Sequence, residues 1–366
     1  MAYLNLEPGD CHGENAGVQA LLDSGVKRVV IGLLHPMQHF RGHAVRELRR
    51  NGIEVNILGE EIDSVDILCA CQSINEPLRF RAATGRPFSI LKYAMTLDGK
   101  IAATSGHAAW VTGAEARAYV FRQRALSDAV IVGGCTVRRD NPRLTTRLDS
   151  GHMPARIVLT RSMDLPMEAN LWDTRIAPTL VMTQRGAQVE KQEILRSQGV
   201  EVIEFDFLTP DAVMEYCAQR GYLQCFWECG GNLSAPAMLD GVIHKVMGFV
   251  APKIVGGVNA PTPVGELGNV QMTQAIELDR PIYQTIGRDL LVTGYVSSSY
   301  AAIRPLPGDI MSNYMVSQIG DGENEDMSSS DMTSVEVQQA LVSAWGLLPG
   351  HPQKLQRTPK VIRYAA

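Results

Sequence analysis

Apolar residues recur along the chain in short blocks of two kinds, and their alternation sets the fold class. Val26–Leu34 (VKRVVIGLL) is almost continuously apolar, the pattern of a strand buried on both faces of a parallel sheet. Before it, Tyr3–Leu6 reads as a strand and Ala16–Ser24 as a helix closed by Gly25. After it, Gly42–Asn51 is amphipathic with Gly52 as a stop, and Ile53–Leu58 is another short strand. Residues 61–87 read as a connector. A second series runs from Phe88 to about Val296. Its predicted strands are Ser89–Met95, Asp128–Val132, Ala155–Thr160, Thr179–Thr183, Val200–Phe205, Gln224–Glu228, His244–Val250 and Leu290–Val296. Helical segments Gly113–Ala125, Lys191–Gln198, Pro210–Arg220 and Ser234–Asp240 lie between them. Strand and helix alternating at this spacing predict an α/β protein with a mostly parallel sheet. Beyond it, Gly320–Asp331 (GDGENEDMSSSD) is acidic and poor in apolar residues, which predicts a disordered linker. A capping-box pair, Thr333 and Glu336, precedes a short apolar helix at Val335–Trp345.

Composition narrows the function classes. The 366 residues allow two domains, and a net charge of -5 gives no basic footprint for nucleic acid or an anionic membrane. No apolar run approaches the roughly 20 residues that span a bilayer, and the opening MAYLNLEPGD lacks the layout of a signal or transit peptide. Seven irregularly spaced cysteines favour free thiols in a reducing compartment. Cys69 and Cys71 have no second ligand pair nearby, so they read as unpaired thiols in the connector.

Residues 1–60 carry Leu6-Glu7-Pro8, a His-Gly in the following loop, a helix ending at Gly25, and the strand KRVVIGLL. They resemble the second half of the zinc deaminase domain in the bifunctional riboflavin-biosynthesis deaminase-reductases. In that family Zn²⁺ held by a His or Cys and two Cys activates water, and a Glu shuttles protons. The family's first Cys directly follows Glu-Pro, where this chain has Gly9; Gly17 or Val18 stands for the second. Cys11 and His12 fall well short of a closed tetrahedral site. The resemblance therefore implies a zinc-less remnant that packs on, or dimerises with, the reductase, and the entry part-way through the domain also fits an incomplete gene model or a trimmed sequence.

The second segment has no Gly-x-Gly-x-x-Gly between a strand and a helix, so a dinucleotide would be held another way. Several of its residues carry chemistry. Lys92 sits in an otherwise apolar strand and either faces a cleft or snorkels. Asp98-Gly99-Lys100 is a turn by residue type. Trp110 offers a flat face to an aromatic ring, or belongs to the core. Arg124 and Arg147 are forks suited to a phosphate, although Arg124 at a helix end also complements the helix dipole. Gly133-Gly134 after an apolar strand lets backbone approach a ligand, Thr136 fits a helix cap, Asp140 fits a turn, and Arg161 closes a strand. Glu228 ends a strand, and Gly230-Gly231-Asn232 leads into a helix whose N-terminus suits an anion.

Residues 78–300 resemble the reductase half of the same family, which is dihydrofolate-reductase-like. The matching stretches are LKYAMTLDGKIAATSG (91–106), Trp110-Val111-Thr112, GGCTVRRDNPRLTTR (133–147) and WECGGNL (227–233). An intact reductase beside a deaminase lacking its metal is similar to the plant and algal form, which implies a plastid protein. The resemblance implies NADPH as cofactor, no zinc, and 5-amino-6-(5-phosphoribosylamino)uracil as the phosphorylated small-molecule substrate. It places Lys92 and Glu228 at the catalytic centre, with Arg124, Leu144, Arg147 and Glu228 at the substrate. Ala94, Trp110, Thr136, Asp140, Arg161, Gly230, Gly231 and Asn232 fall on the cofactor side. A homo-oligomer is expected from the same source, with neither nucleic acid nor membrane as a partner. The rival readings are a reductase of this fold on another pterin- or pyrimidine-like compound, and a non-catalytic scaffold. On these motifs the domains are 1–77, 78–300 and a tail, 301–366.

Overall fold

The computed structural model describes residues 1–9, 15–58, 65–148 and 152–296; the predicted acidic linker and terminal helix lie outside them, as do Cys11 and His12. The described chain divides into two compact units, the cut falling between Ala82 and Ala83.

The first unit is a three-stranded parallel sheet of β1 (Ala2–Leu4), β2 (Arg28–Ile31) and β3 (Glu54–Ile57), in that order. Helices α1 (Ala16–Asp23) and α2 (His43–Arg50) supply Val18, Leu21, Val45 and Leu48 to a core with Val29, Ile31, Val55 and Ile57. The connector expected at 61–87 is instead two helices, α3 (Val65–Ile74) and α4 (Glu76–Thr84). Helix α3 buries Ile67, Leu68 and Cys71 in a cluster with Leu33. Cys71 is thus a core residue rather than a linker thiol, and burial pushes it up to about 11. A side chain at Gly32 would lie 2.4 Å from its sulfur, so glycine there admits the thiol.

The second unit is one nine-stranded sheet. Its strands are β4 (Phe88–Thr96), β5 (Ala129–Gly133), β6 (Ala155–Thr160), β7 (Thr179–Gln184), β8 (Glu201–Phe205), β9 (Gln224–Trp227), β10 (Lys245–Ala251), β11 (Leu278–Ile286) and β12 (Asp289–Val296). They run in the order β11-β12-β10-β4-β9-β5-β6-β7-β8. Every pairing from β10 to β8 is parallel, while β12 and β11 add as an antiparallel edge. Strands β5 to β7 are buried almost throughout, including the polar Arg156, Thr160, Thr179 and Thr183 set among their apolar residues. Strand β11 is an addition to the expected set. Its sequence LDRPIYQTI mixes charge and proline, which an edge strand with one unpaired side tolerates.

Helices α5 (Ala114–Ala125), α7 (Val189–Ser197), α8 (Pro210–Gln219) and α9 (Gly231–Leu239) match the predicted segments within a few residues. A further helix, α6 (Gly134–Asp140), starts at the glycine pair read as a strand end. Thr136 lies inside it, and its N-cap is Gly133. Chain order sends β5, β6, β7 and β8 to one side of β4, and β9 returns to lie between β4 and β5. Open parallel sheets bind ligands beyond the carboxyl ends of strands at such a reversal.

Candidate active site

Three charged side chains meet at that reversal. Strands β4 and β9 pair in parallel with Leu91 opposite Trp227, so Lys92 and Glu228 each stand one residue further along neighbouring strands. The Glu228 amide donates to the Ile131 carbonyl of β5 at 2.9 Å, which fixes the carboxylate's stem between two strands. Arg124, in the last turn of α5, grips that carboxylate as a fork, Nε to Oε1 at 2.5 Å and Nη2 to Oε2 at 3.0 Å. Its Nη1 donates to the Thr145 carbonyl at 2.9 Å. Lys92 Nζ lies 3.8 Å from Oε2, and the Lys92, Arg124 and Glu228 side chains are only 18%, 12% and 11% exposed. Lys92 therefore faces a cleft with a partner rather than snorkelling to solvent. Arg124 is not merely a dipole complement.

Burial lowers the Lys92 ammonium from 10.5, and the Arg124 charge lowers it further against the opposing pull of Glu228. Burial alone would raise the Glu228 carboxyl, but Arg124 and Lys92 outweigh it and hold it below its ordinary 4.5. Two cations against one anion leave the cluster net positive, an arrangement suited to an anionic ligand.

Phe121, three residues before Arg124 on α5, is a member of the site that the sequence reading missed. The Arg124 guanidinium lies 5.6 Å from its ring centroid and that of Arg147 4.8 Å. A spacing of three residues on a helix was the available signal. Arg147 is exposed, and among the described residues it has no carboxylate partner. Leu144 is 4% exposed, packed under the same loop. Trp110 (φ 61), Leu144 (φ 53) and Arg147 (φ 52) all have left-handed backbone. Bulky residues rarely adopt it, and such strain collects at functional sites.

On the expected cofactor side, Trp110 is 68% exposed, which removes the core reading. It lines a groove of about 360 Å³ with Thr96, Ala102, His107, Val111, Lys253 and Val255. The Arg117 guanidinium covers the indole at 4.4 Å, and Lys253 Nζ donates to the Trp110 carbonyl. The Asp98 turn forms as expected, and its carboxylate accepts from Thr96 Oγ1 at 2.6 Å, Gly256 N at 2.8 Å and Val255 N at 3.2 Å. Those bonds, led by the Thr96 hydroxyl, push Asp98 down to about 2. This tie between turn and 253–256 loop shapes one wall of the groove. Ala94 is half-buried on β4, Thr136 half-buried on α6, and Asp140 exposed at the end of α6. Arg161 is exposed just after β6, and among the described residues it shares no ion pair or side-chain hydrogen bond with the charged cluster.

Gly230 is the N-cap of α9 and leaves that helix start without a side-chain cap, with Asn232 exposed in its first turn. A Cβ on Gly231 would lie 2.9 Å from the Thr262 carbonyl oxygen and 3.0 Å from Gly265 N. The close approach at Gly231 is thus to the chain's own 262–265 loop. A Cβ on Gly134 would likewise lie 3.3 Å from Leu165 and Thr160. Groove, uncapped helix start and positive cluster together fit an anionic dinucleotide beside a small anion.

In the first unit, Glu7 is 1% exposed and accepts from the amides of Gly42, Ala44, His35 and Val45 at 2.8–3.3 Å. It therefore acts as the internal anion at the start of α2. A Cβ on Gly9 would meet His35 Nε2 at 2.8 Å. The imidazole, buried and lowered in pKa by that burial, fills the space beside the position where a zinc-ligating Cys is expected. The described residues there do not fit a zinc ion: among them no group of three or more His, Cys, Asp or Glu could hold a metal.

The family profile described as the RibD C-terminal domain matches residues 87–292, which holds every member of the charged cluster. The chain belongs to the RibD family. The RibD of a Synechocystis strain is 48% identical over 80% of this chain and 78% of its own length. The riboflavin biosynthesis protein PYRR, chloroplastic, of Arabidopsis thaliana is 58% identical over 81% of this chain. Its Zea mays counterpart is 57% identical over 81%. The chain spans about half the length of these two relatives, 50% and 48%. Among solved structures, a RibD from Acinetobacter baumannii superposes with a TM-score of 0.66 at 26% identity, covering 79% of each chain. A Thermotoga maritima diaminohydroxyphosphoribosylaminopyrimidine deaminase/5-amino-6-(5-phosphoribosylamino)uracil reductase superposes at 0.64 and 27%, covering 80% of this chain and 78% of its own.

Proposed function

We infer that this RibD-family chain is an NADPH-dependent reductase of riboflavin biosynthesis. It reduces the ribosyl chain of 5-amino-6-(5-phosphoribosylamino)uracil to the ribityl form. The observation that carries this reading is the net-positive Lys92–Glu228–Arg124 cluster at the strand reversal, with Arg147, which has no carboxylate partner among the described residues, stacked on Phe121 beside it. The Thermotoga neighbour, named for that reduction, lends the substrate.

Arg147 supplies the free fork for the substrate phosphate. Arg124 spends three donors on Glu228 and Thr145, so it acts on the substrate through a remaining N–H and through the charge it adds. Glu228, held ionised, accepts from the substrate's polar edge, and Leu144 closes the pocket. Lys92, with its depressed pKa, orients the ribose oxygen and gives up a proton to it as the ring opens. When bound, NADPH would supply the hydride that reduces C1′. Trp110, Ala94, Thr136, Asp140, Arg161, Gly230, Gly231 and Asn232 would hold it, the start of α9, which has no side-chain cap, being suited to an anionic group.

Residues 1–77 are a deaminase-like remnant without zinc, and 78–300 are the reductase domain. The names of the two chloroplastic relatives support a plastid address. No described helix is long and apolar enough to cross a membrane. A homo-oligomer fits the family.

The test is NADPH oxidation, followed by absorbance, with the phosphoribosylamino-uracil substrate and with or without a zinc chelator. Chelator-insensitive turnover is expected. NADPH binding without oxidation would point to another substrate, and no binding would favour a scaffold.

A further inference from the structure

The loop that carries Leu144 and Arg147 is held by a clamp outside the charged cluster. Three non-glycine residues in it have left-handed backbone at intervals of three: Asn141 (φ 40), Leu144 (φ 53) and Arg147 (φ 52). Such a run relaxes unless its surroundings over-determine it. Three struts do so. Arg124 Nη1 donates to the Thr145 carbonyl at 2.9 Å, and Arg156 Nη1 reaches the Arg143 carbonyl at 3.5 Å. The third strut is reciprocal. The Asn170 amide donates to Asn141 Oδ1 at 2.7 Å, and Asn170 Nδ2 donates to the Asn141 carbonyl at 2.7 Å.

The turn that carries Asn170 is anchored by its neighbours. It opens a 3₁₀ turn whose next residues, Leu171 and Trp172, are 0% and 7% exposed. The Leu171 carbonyl accepts from Thr179 Oγ1 at 2.8 Å, and that hydroxyl accepts from the fully buried Arg156 at 2.6 Å. One rigid network on β6 and β7 therefore grips both the Asn170 turn and the strained loop. At the other end Asn141 is the C-cap of α6, its amide bonded to the Val137 carbonyl at 3.2 Å. Asparagine suits this post, since it tolerates left-handed backbone and supplies the acceptor that Asn170 needs.

We propose that Asn141 and Asn170 form a positioning clamp that sets the left-handed loop and so aims the Arg147 guanidinium at the substrate phosphate. Neither residue touches the substrate; both act through Arg147. The proposal rests on the reading of Arg147 as the phosphate-binding arginine.

The experiment measures ribose 5-phosphate binding by calorimetry on the full chain, with tryptophan-fluorescence melting as the check on folding. Asn141→Ala removes both the acceptor and the left-handed preference and is expected to weaken binding about tenfold. Asn141→Asp keeps both and restores affinity to within about twofold. Asn170→Ala, which deletes one bond and leaves the loop sequence untouched, gives a smaller loss in the same direction. Arg147→Met removes the fork, and adding Asn141→Ala to it produces no further loss, because the clamp then has nothing to aim. Unchanged affinity in Asn141→Ala would overturn the clamp, as would an equal loss on the Arg147→Met background, or no rescue by Asp. A wild-type chain that binds no ribose 5-phosphate also overturns it. A wild-type chain that binds ribose 5-phosphate but never oxidises NADPH sinks the reductase reading and leaves the clamp to be decided by the variants.

Discussion

Glu228→Gln isolates what the central carboxylate contributes, because it removes one charge and almost no volume. Arg124 sits 3.0 Å and Lys92 3.8 Å from Oε2. At an effective dielectric of about 20 those separations correspond to roughly 5.5 and 4.4 kcal/mol of gross attraction. Burying the carboxylate costs several kcal/mol in return, so the gross figure is far from the net. The larger effect of the substitution is on what remains: two nearly buried cations facing each other with no anion between them. Removing one partner of a buried ion pair costs about 3–5 kcal/mol, and the lower figure applies where Gln keeps one acceptor. For a unit of this size about 3 kcal/mol is a fall in melting temperature of roughly 6–12 °C. Tryptophan fluorescence is the assay, since Trp227 immediately precedes Glu228 and is fully buried.

The pH dependence supplies a second, independent sign. The folded pKa of Glu228 lies below its unfolded 4.5, so its contribution is fully present above 4.5 and is lost as pH falls toward the folded value. The glutamine variant lacks that dependence. Its deficit should therefore shrink by about 1.4 kcal/mol per pH unit below 4.5, until the folded pKa is passed. A variant as stable as wild type at pH 7, or a deficit unchanged between pH 6 and pH 3.5, would refute the assignment of Glu228 as the ionised centre of the cluster.

Lys92→Met should behave oppositely. It deletes a desolvated ammonium whose nearest anion keeps Arg124, so stability should change by no more than about 1 kcal/mol while turnover falls about 100-fold or more. Full turnover with unchanged substrate affinity would end its catalytic role. Because the folded pKa of Lys92 lies below 10.5, wild-type stability should gain from this residue as pH rises through that window, and Lys92→Met should lose the gain. Gly231→Ala should cost about 1–3 kcal/mol, since its Cβ meets backbone at 2.9–3.0 Å, whereas Gly230→Ala, with Ile101 as nearest neighbour at 3.7 Å, should melt near wild type. Equal melting of the two would undo the packing account of that glycine pair. In the first unit, Gly9→Ala should destabilise by about 1–3 kcal/mol, and His35→Ala in the same chain should relieve it, as read by urea unfolding.

These predictions separate what periodicity and residue chemistry encode from what only three dimensions supply. The mostly apolar runs AVIV, RIVLT and QCFW, interleaved with helical segments, fit strands buried on both faces of a parallel sheet; nothing in the runs signalled that Arg156 and Gln224 within them would also be buried. Lys92 and Glu228 stood out for the complementary reason, a charge set in or at the end of such a run, which burial forbids unless a partner waits. The connector reading of 61–87 failed where that logic has no grip. Helix α4 (EPLRFRAAT) shows no apolar stripe, so helical period leaves no trace in its sequence. Helix α6 begins at Gly134 with Gly133 as its N-cap, a pair that read as a strand end because glycine's poor helix propensity hides a helix start; the site leaves little room for a larger side chain, since a Cβ on Gly134 would lie 3.3 Å from Leu165 and Thr160.

The parts of the site that no single-sequence reading could reach are those made by long loops closing. Asn141 and Asn170 are ordinary turn residues 29 positions apart, and neither has a local pattern that names the other. Left-handed backbone at Leu144 and Arg147 runs against the preferences of both residue types, so propensity argued for the wrong conformation there. Local preference is overridden only where something else holds the chain, and here the holders are named side chains rather than the loop itself. The arginine best placed for a phosphate is therefore the one whose position its own sequence least explains. Strain at Arg147 and the clamp at Asn141 are two views of one device: the core of β6 and β7 holds a surface loop out of its relaxed state, and the exposed guanidinium is what that loop displays.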